Sequence, residues 1–149
     1  MKSIFLLLML NAPLPGSSPL FLDPTGTYIL KGATKNNKIV GHYGELRVRL
    51  LSEETVAFCF YFNAGYPNYL SVALMDTLKY EGDRLLYKSE KDSSCSLLLI
   101  FNERTVELME IYSDPQTGCG FGQGVLAPAV FDKTSSDIPV IQDLSRQQG

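Results

Sequence analysis

The sequence predicts an all-β fold, an antiparallel up-and-down meander of about eight strands closed into a barrel. Apolar residues alternate with period two in short runs, and almost nothing repeats with a helical period. Clusters of Gly, Asn, Asp and Ser separate the runs at the spacing of hairpin turns. Tyr and Phe contribute eight residues each and Trp none, a mixture that together with Val, Ile and Thr suits half-buried pleated surfaces. At 149 residues and 45% hydrophobic content, the chain is long and apolar enough for one domain with a real core.

The elements follow in order. Residues 26–32 form the first run, which ends at Gly32 and the polar turn Lys35-Asn36-Asn37-Lys38. A long second strand is expected over 39–51, with Leu46, Val48 and Leu50 on one face and Arg47 and Arg49 on the other. Residues 55–62 place Val56, Phe58, Phe60 and Phe62 on one side and Ala57, Cys59 and Tyr61 opposite, which reads as core on both sides. A fourth strand over 69–80 is turned by Glu81-Gly82-Asp83 into a fifth at 84–89. The sixth and seventh, 95–101 and 105–112, pair about Asn102-Glu103-Arg104, and the eighth runs over 121–131. Pairing the first strand with the last removes both edges, so a closed barrel is preferred to a two-sheet sandwich of the same strands.

Both termini read differently from this middle. Lys2 and the apolar run 4–10 are too short to span a bilayer, and with the small residues Gly16, Ser17 and Ser18 they read as a signal peptide over 1–18. The expected products are a single barrel domain over 19–131 and a polar tail over 132–149, with an added edge strand around 138–141. A secreted or periplasmic location without stable membrane insertion follows from that reading. The bland alternative for the N-terminus is an extended arm packed on the domain.

Three cysteines leave an odd one. Strands six and seven form a hairpin, so the chain returns to the end at which Cys95 lies before it reaches Cys119, and these two form the expected disulfide. Closing a loop of about 25 residues stabilises by about 3.5 kcal/mol in the chain-entropy model. Cys59 is expected as a buried free thiol. Without C-x-x-C spacing or partner histidines, no metal site is expected, and no cofactor.

The opening Gly26-Thr27-Tyr28 of an eight-strand meander resembles the start of lipocalin-like (calycin) barrels, with Tyr28 where those proteins usually carry Trp. The strand from Cys95 and the segment Cys119-Gly120-Phe121-Gly122 are similar to a pattern in small exported bacterial proteins. The first resemblance implies fold and the second implies compartment and disulfide; neither implies an activity.

A net charge of −3 with scattered Lys and Arg opposes nucleic-acid binding. His42 is the sole histidine and has no nucleophile motif beside it, and the acids Glu53, Glu54, Glu81, Asp83, Asp92 and Glu103 mostly fall in turns. No catalytic residue is therefore assigned. Gly120, Gly122 and Gly124 alternate in the expected eighth strand and read as permitting a bend or a close approach, with Phe121 packing or forming a binding lip. The loop 63–69 carries Tyr66 and Tyr69, a residue type that combines contact area with a hydrogen-bonding tip and suits recognition; the bland alternative is that the two rings cover one end of the barrel.

The functional expectation is a non-enzymatic exported binding module. In its protein-binding form, of which an inhibitor of a secreted hydrolase is one case, the barrel is filled and the Tyr66 loop or a barrel end makes the contact. As a carrier of a small apolar ligand it is hollow and open at one end, and Phe58, Phe60 and Phe62 line the cavity. A hydrolase is the third reading, marked by acids or a His42 partner converging in one pocket.

Overall fold

The computed structural model describes residues 21–112 and 118–147; the expected signal peptide lies outside them. The alternating runs become β1 (Gly26–Leu30), β2 (Ala33–Lys35), β3 (Lys38–Val40), β4 (Tyr43–Ser52), β5 (Thr55–Asn63), β6 (Ser71–Glu81), β7 (Arg84–Lys88), β8 (Cys95–Phe101), β9 (Thr105–Tyr112) and β10 (Ala129–Ser135). Eight of these close into an antiparallel barrel in the order β1-β10-β9-β8-β7-β6-β5-β4, and β2 and β3 form a separate hairpin. The predicted meander and its closure are observed, with first and last strands joined through Tyr28↔Lys133 and Ile29↔Asp132.

Three boundaries differ from expectation. The long second strand divides at Gly41, whose φ of 77° no extended strand accommodates, so a hairpin projects before β4 begins. The glycine-rich segment is not a strand: Gly120, Gly122 and Gly124 adopt φ of 78°, 108° and 77°, and a short 3₁₀ turn at Gly118–Gly120 leads into a loop. The eighth barrel strand is consequently β10, set eight residues further along at its start than expected. Residues 132–135 therefore belong to the barrel rather than to a tail, and 138–141 form no strand.

Period-two parity sorts each strand between inside and outside. Tyr28, Leu46, Val48, Val56, Phe58, Phe60, Phe62, Leu85, Val106, Leu108 and Phe131 are at most 2% exposed and fill the interior. Each such side chain contributes about 1.5–3 kcal/mol on burial. Rings of Phe60, Phe62 and Phe131 lie within 6.0 Å of one another, and the interior void among Phe58, Phe60, Leu74 and Tyr87 is about 10 Å³. That is scarcely the space of one water molecule.

Both mouths are plugged. At one, the Tyr28 hydroxyl donates to the Pro24 carbonyl and the Tyr80 hydroxyl to the Leu22 carbonyl, each at 2.8 Å, tying the incoming chain across the opening. At the other, Val125 and Leu126 of the post-disulfide loop are buried, and the His42 ring lies 5.1 Å from that of Phe62.

The outer face of β5 is covered as well, which accounts for its second apolar face. Leu144, 1% exposed, packs with Ile141 and Tyr43 over Cys59 and Tyr61. Arg47 holds this C-terminal strap by donating to the Val140 carbonyl and the Gln147 side chain, each at 3.2 Å. Cys59 is free and buried, as expected.

One junction of the cylinder is thin. β6 and β7 exchange only two rungs, Tyr80↔Leu85 and Glu81↔Arg84, whereas β5 and β6 pair from Thr55↔Lys79 to Asn63↔Ser71. Beyond the hairpin the inward parity of β6 brings Asp76, whose carboxylate accepts from the Thr77 N–H at 2.7 Å. A charge on an unpaired strand flank discourages association through the edge.

Candidate functional site

The loop leaving β5 is fixed from within the barrel wall. Asn63 ends the strand at 3% exposure, and its side chain donates to the Tyr61 hydroxyl at 2.9 Å and to the Tyr69 carbonyl at 3.0 Å. Its Oδ1 accepts from the Gly65 N–H at 2.8 Å, so every polar atom of the amide is used. Main-chain bonds from Tyr69 to Gly65 and from Ala64 to Leu70 close the loop, and the Tyr66–Pro67 bond is cis. Gly65 has φ 76°, and a Cβ there would collide with the Gly41 carbonyl, so only glycine permits the approach.

The β2–β3 hairpin docks on this loop. The Tyr66 N–H donates to the Ile39 carbonyl at 2.8 Å, and Val40 bridges to Tyr66. Tyr66 and Tyr69 are 45% and 41% exposed, with ring centroids 6.3 Å apart in an edge-to-face pair. The Lys38 ammonium lies 4.1 Å from the Tyr66 ring, a cation–π contact. Leu70 and Ile39 add exposed apolar surface beside the rings.

Phe121 lies in the loop at the same barrel end, half-buried beneath the Lys91 ammonium at 5.1 Å. The Cys95–Cys119 disulfide anchors that loop, with Cα atoms 5.1 Å apart, and the Ser89 hydroxyl donates to the Cys119 carbonyl at 2.8 Å. His42, in the link between β3 and β4, reaches the same loop, its Nε2–H donating to the Gly124 carbonyl at 3.1 Å. Tyr66, Tyr69 and Phe121 thus share one end of the barrel. Phe58, Phe60 and Phe62 do not join them; they form the filled interior beneath.

Sequence reasoning missed two features. Glu110 follows Val106 and Leu108 in inward parity and so faces the mouth near His42; burial holds its carboxyl above the usual range, and the imidazole offsets only part of that rise. Alternation alone would have found it. The second is an apolar row on the outer wall, exposed Leu86 and Met109 flanking half-buried Leu98 and continued by exposed Ile111, which becomes visible only once the registers of β7, β8 and β9 are known. Among the described residues, no group of three or more His, Cys, Asp or Glu side chains is placed to hold a metal ion.

Fold and site together define a small filled antiparallel barrel, stapled by one disulfide, that presents an ordered aromatic loop at one end. Comparison with family models, curated proteins and solved structures returns no match.

Proposed function

We propose that this chain is a non-enzymatic, exported protein-binding module that makes contact through the Tyr66–Tyr69 end of the barrel. The observation that carries this reading is the pre-ordering of two exposed tyrosines by the fully bonded Asn63 amide. Rigid aromatic anchors supply contact area with little conformational entropy left to lose on binding. The void of about 10 Å³ supports this over the carrier reading, because a drug-sized apolar ligand needs about 300 Å³ or more. Export is supported by the disulfide, a bond at home in oxidising compartments.

The test is differential capture. Immobilised oxidised protein and its Tyr66→Ala/Tyr69→Ala variant would be exposed to the secreted and envelope proteins of the source cell, and retained proteins quantified by mass spectrometry. A protein retained at least tenfold better by the parent, with equal melting of the two baits, is the expected result. Retention that ignores the tyrosines but fails with Leu86→Glu would move the site to the outer wall. Native mass spectrometry showing a co-purifying lipid-sized ligand would favour the carrier.

A further inference from the structure

The rung that closes the β2–β3 hairpin joins two like charges. Lys35 and Lys38 are directly paired across a two-residue turn in which Asn36 and Asn37 both take positive φ, 50° and 59°. Directly opposed residues of an antiparallel pair project from the same face, so two exposed lysines leave one face of the hairpin, an arrangement that destabilises it. Nothing local offsets it. From Lys31 to Gly44 the chain carries three lysines and no Asp or Glu, although the protein as a whole is at −3. Among the described residues none of the three lysines enters an ion pair, and Lys38 instead lies over the Tyr66 ring.

The two lysines, Asn36, Val40 and Tyr66 line a shallow concavity of about 320 Å³. Its shape is held, because the turn is a tight hairpin and the Tyr66 N–H is bonded to Ile39. Apolar surface from Tyr69 and Leu70 adjoins the Tyr66 side. A rule broken locally, where a neutral or opposite-charge rung would have been more stable, marks a place where recognition rather than folding sets the residue type.

We propose that the Lys35–Lys38 rung and Tyr66 form an anion-accepting subsite, and that the protein partner presents an acidic segment in which an Asp or Glu side chain sits next to an apolar one. The carboxylate lies between the two ammonium groups, relieving their repulsion, while its apolar neighbour packs on Tyr66 and Tyr69. This inference rests on the protein-binding reading above and adds the chemistry of the partner. Attraction from the lysines steers encounter and fixes register, so it acts chiefly at low ionic strength.

A displayed library of random dodecapeptides, selected on the immobilised oxidised protein, tests it. Enriched peptides should carry Asp or Glu beside an aromatic or aliphatic residue. One such synthetic peptide should bind the Lys35→Glu/Lys38→Glu variant about tenfold or more weakly at low salt, with the difference shrinking by 0.5 M salt. The single Lys35→Glu change separates recognition from stability: it makes the rung an opposite-charge pair, so the melting midpoint should hold or rise while peptide binding falls. Neutral or basic consensus peptides, equal binding by the charge-reversed protein, or preferential retention of heparin or single-stranded DNA would each overturn the proposal. If selected peptides depend on Tyr66 but ignore the lysines, the protein-binding reading stands and the acidic partner does not. Peptides that depend on neither, or no enrichment at all, would remove both.

Discussion

Asn63 donates from its side-chain amide to the Tyr69 carbonyl at 3.0 Å, so a residue of the barrel wall fixes an exposed ring six positions further on. Asn63→Ala would leave the Gly65 N–H, the Tyr61 hydroxyl and the Tyr69 carbonyl without this partner. The expected cost is about 2–3 kcal/mol in urea denaturation. Chymotrypsin cleavage after Tyr69 should accelerate as well. Asn63→Asp keeps the acceptor for Gly65 and loses both donated bonds, so it should fall between the two.

Cys59 reports on the C-terminal strap, because its thiol lies beneath Leu144. Leu144→Ala removes about 2–3 kcal/mol of local packing. Alkylation of Cys59 in the native protein should then run roughly 30- to 160-fold faster, since modification needs the strap to open. Burial pushes the Cys59 thiol up, so the native rate should keep climbing above the pH at which an ordinary thiol levels off. A rate unaffected by Leu144→Ala would mean that the thiol is reached another way.

Alkaline stability should register the ring that ties the incoming chain to the barrel. Burial first, then Asp83 and Asp23, push the Tyr80 hydroxyl up to about 12. A folded-state value above the unfolded one makes this contribution fully present below pH of about 10 and lost as pH rises through about 12. Tyr28 is shifted in the same direction, again chiefly by burial. Tyr80→Phe, lacking the bond to Leu22, should be about 1 kcal/mol less stable at neutral pH. Denaturation midpoints of parent and variant should converge between pH 10 and 12.

Breaking the disulfide with Cys95→Ser/Cys119→Ser should lower stability by up to about 3.5 kcal/mol in the entropy model. Its structural effect should centre on the loop that carries Phe121, Val125 and Leu126. Hydrogen exchange is expected to rise there and in the segment around Ser89, whose hydroxyl bonds the Cys119 carbonyl, before it rises in β5.

The eight strands of the barrel, their meander order and their inward parity were legible because the signal for each is alternation broken by short turns. Phe58, Phe60 and Phe62 could be placed inside for that reason, and the second apolar face of β5 showed that something must cover it. What covers it was not legible, since the polar surroundings of Leu144 hide a single anchoring residue. The glycine-rich segment misled because Gly120, Gly122 and Gly124 match strand alternation in spacing while their backbone is left-handed, a property that residue type permits but does not reveal. Tyr66 and Tyr69 were legible as a pair at one barrel end, but whether they cover it or stand exposed was not. Their alliance with Lys35 and Lys38 depends on Val40 meeting Tyr66, a contact between segments that no local pattern encodes.

The two-rung junction between β6 and β7 makes the cylinder a folded sheet with a slack side. One leaf, β4 to β6, is laced by nine rungs at each pairing and carries the tyrosines; the other, β7 to β9, has five and seven and carries the disulfide and Phe121. Along that seam the two leaves meet through interior side chains, the Phe58 and Tyr87 rings 6.3 Å apart among them, rather than through main-chain rungs. Around most of its circumference the barrel is held by its weave; along this one seam it is held shut by its filling, the side chains of its own core.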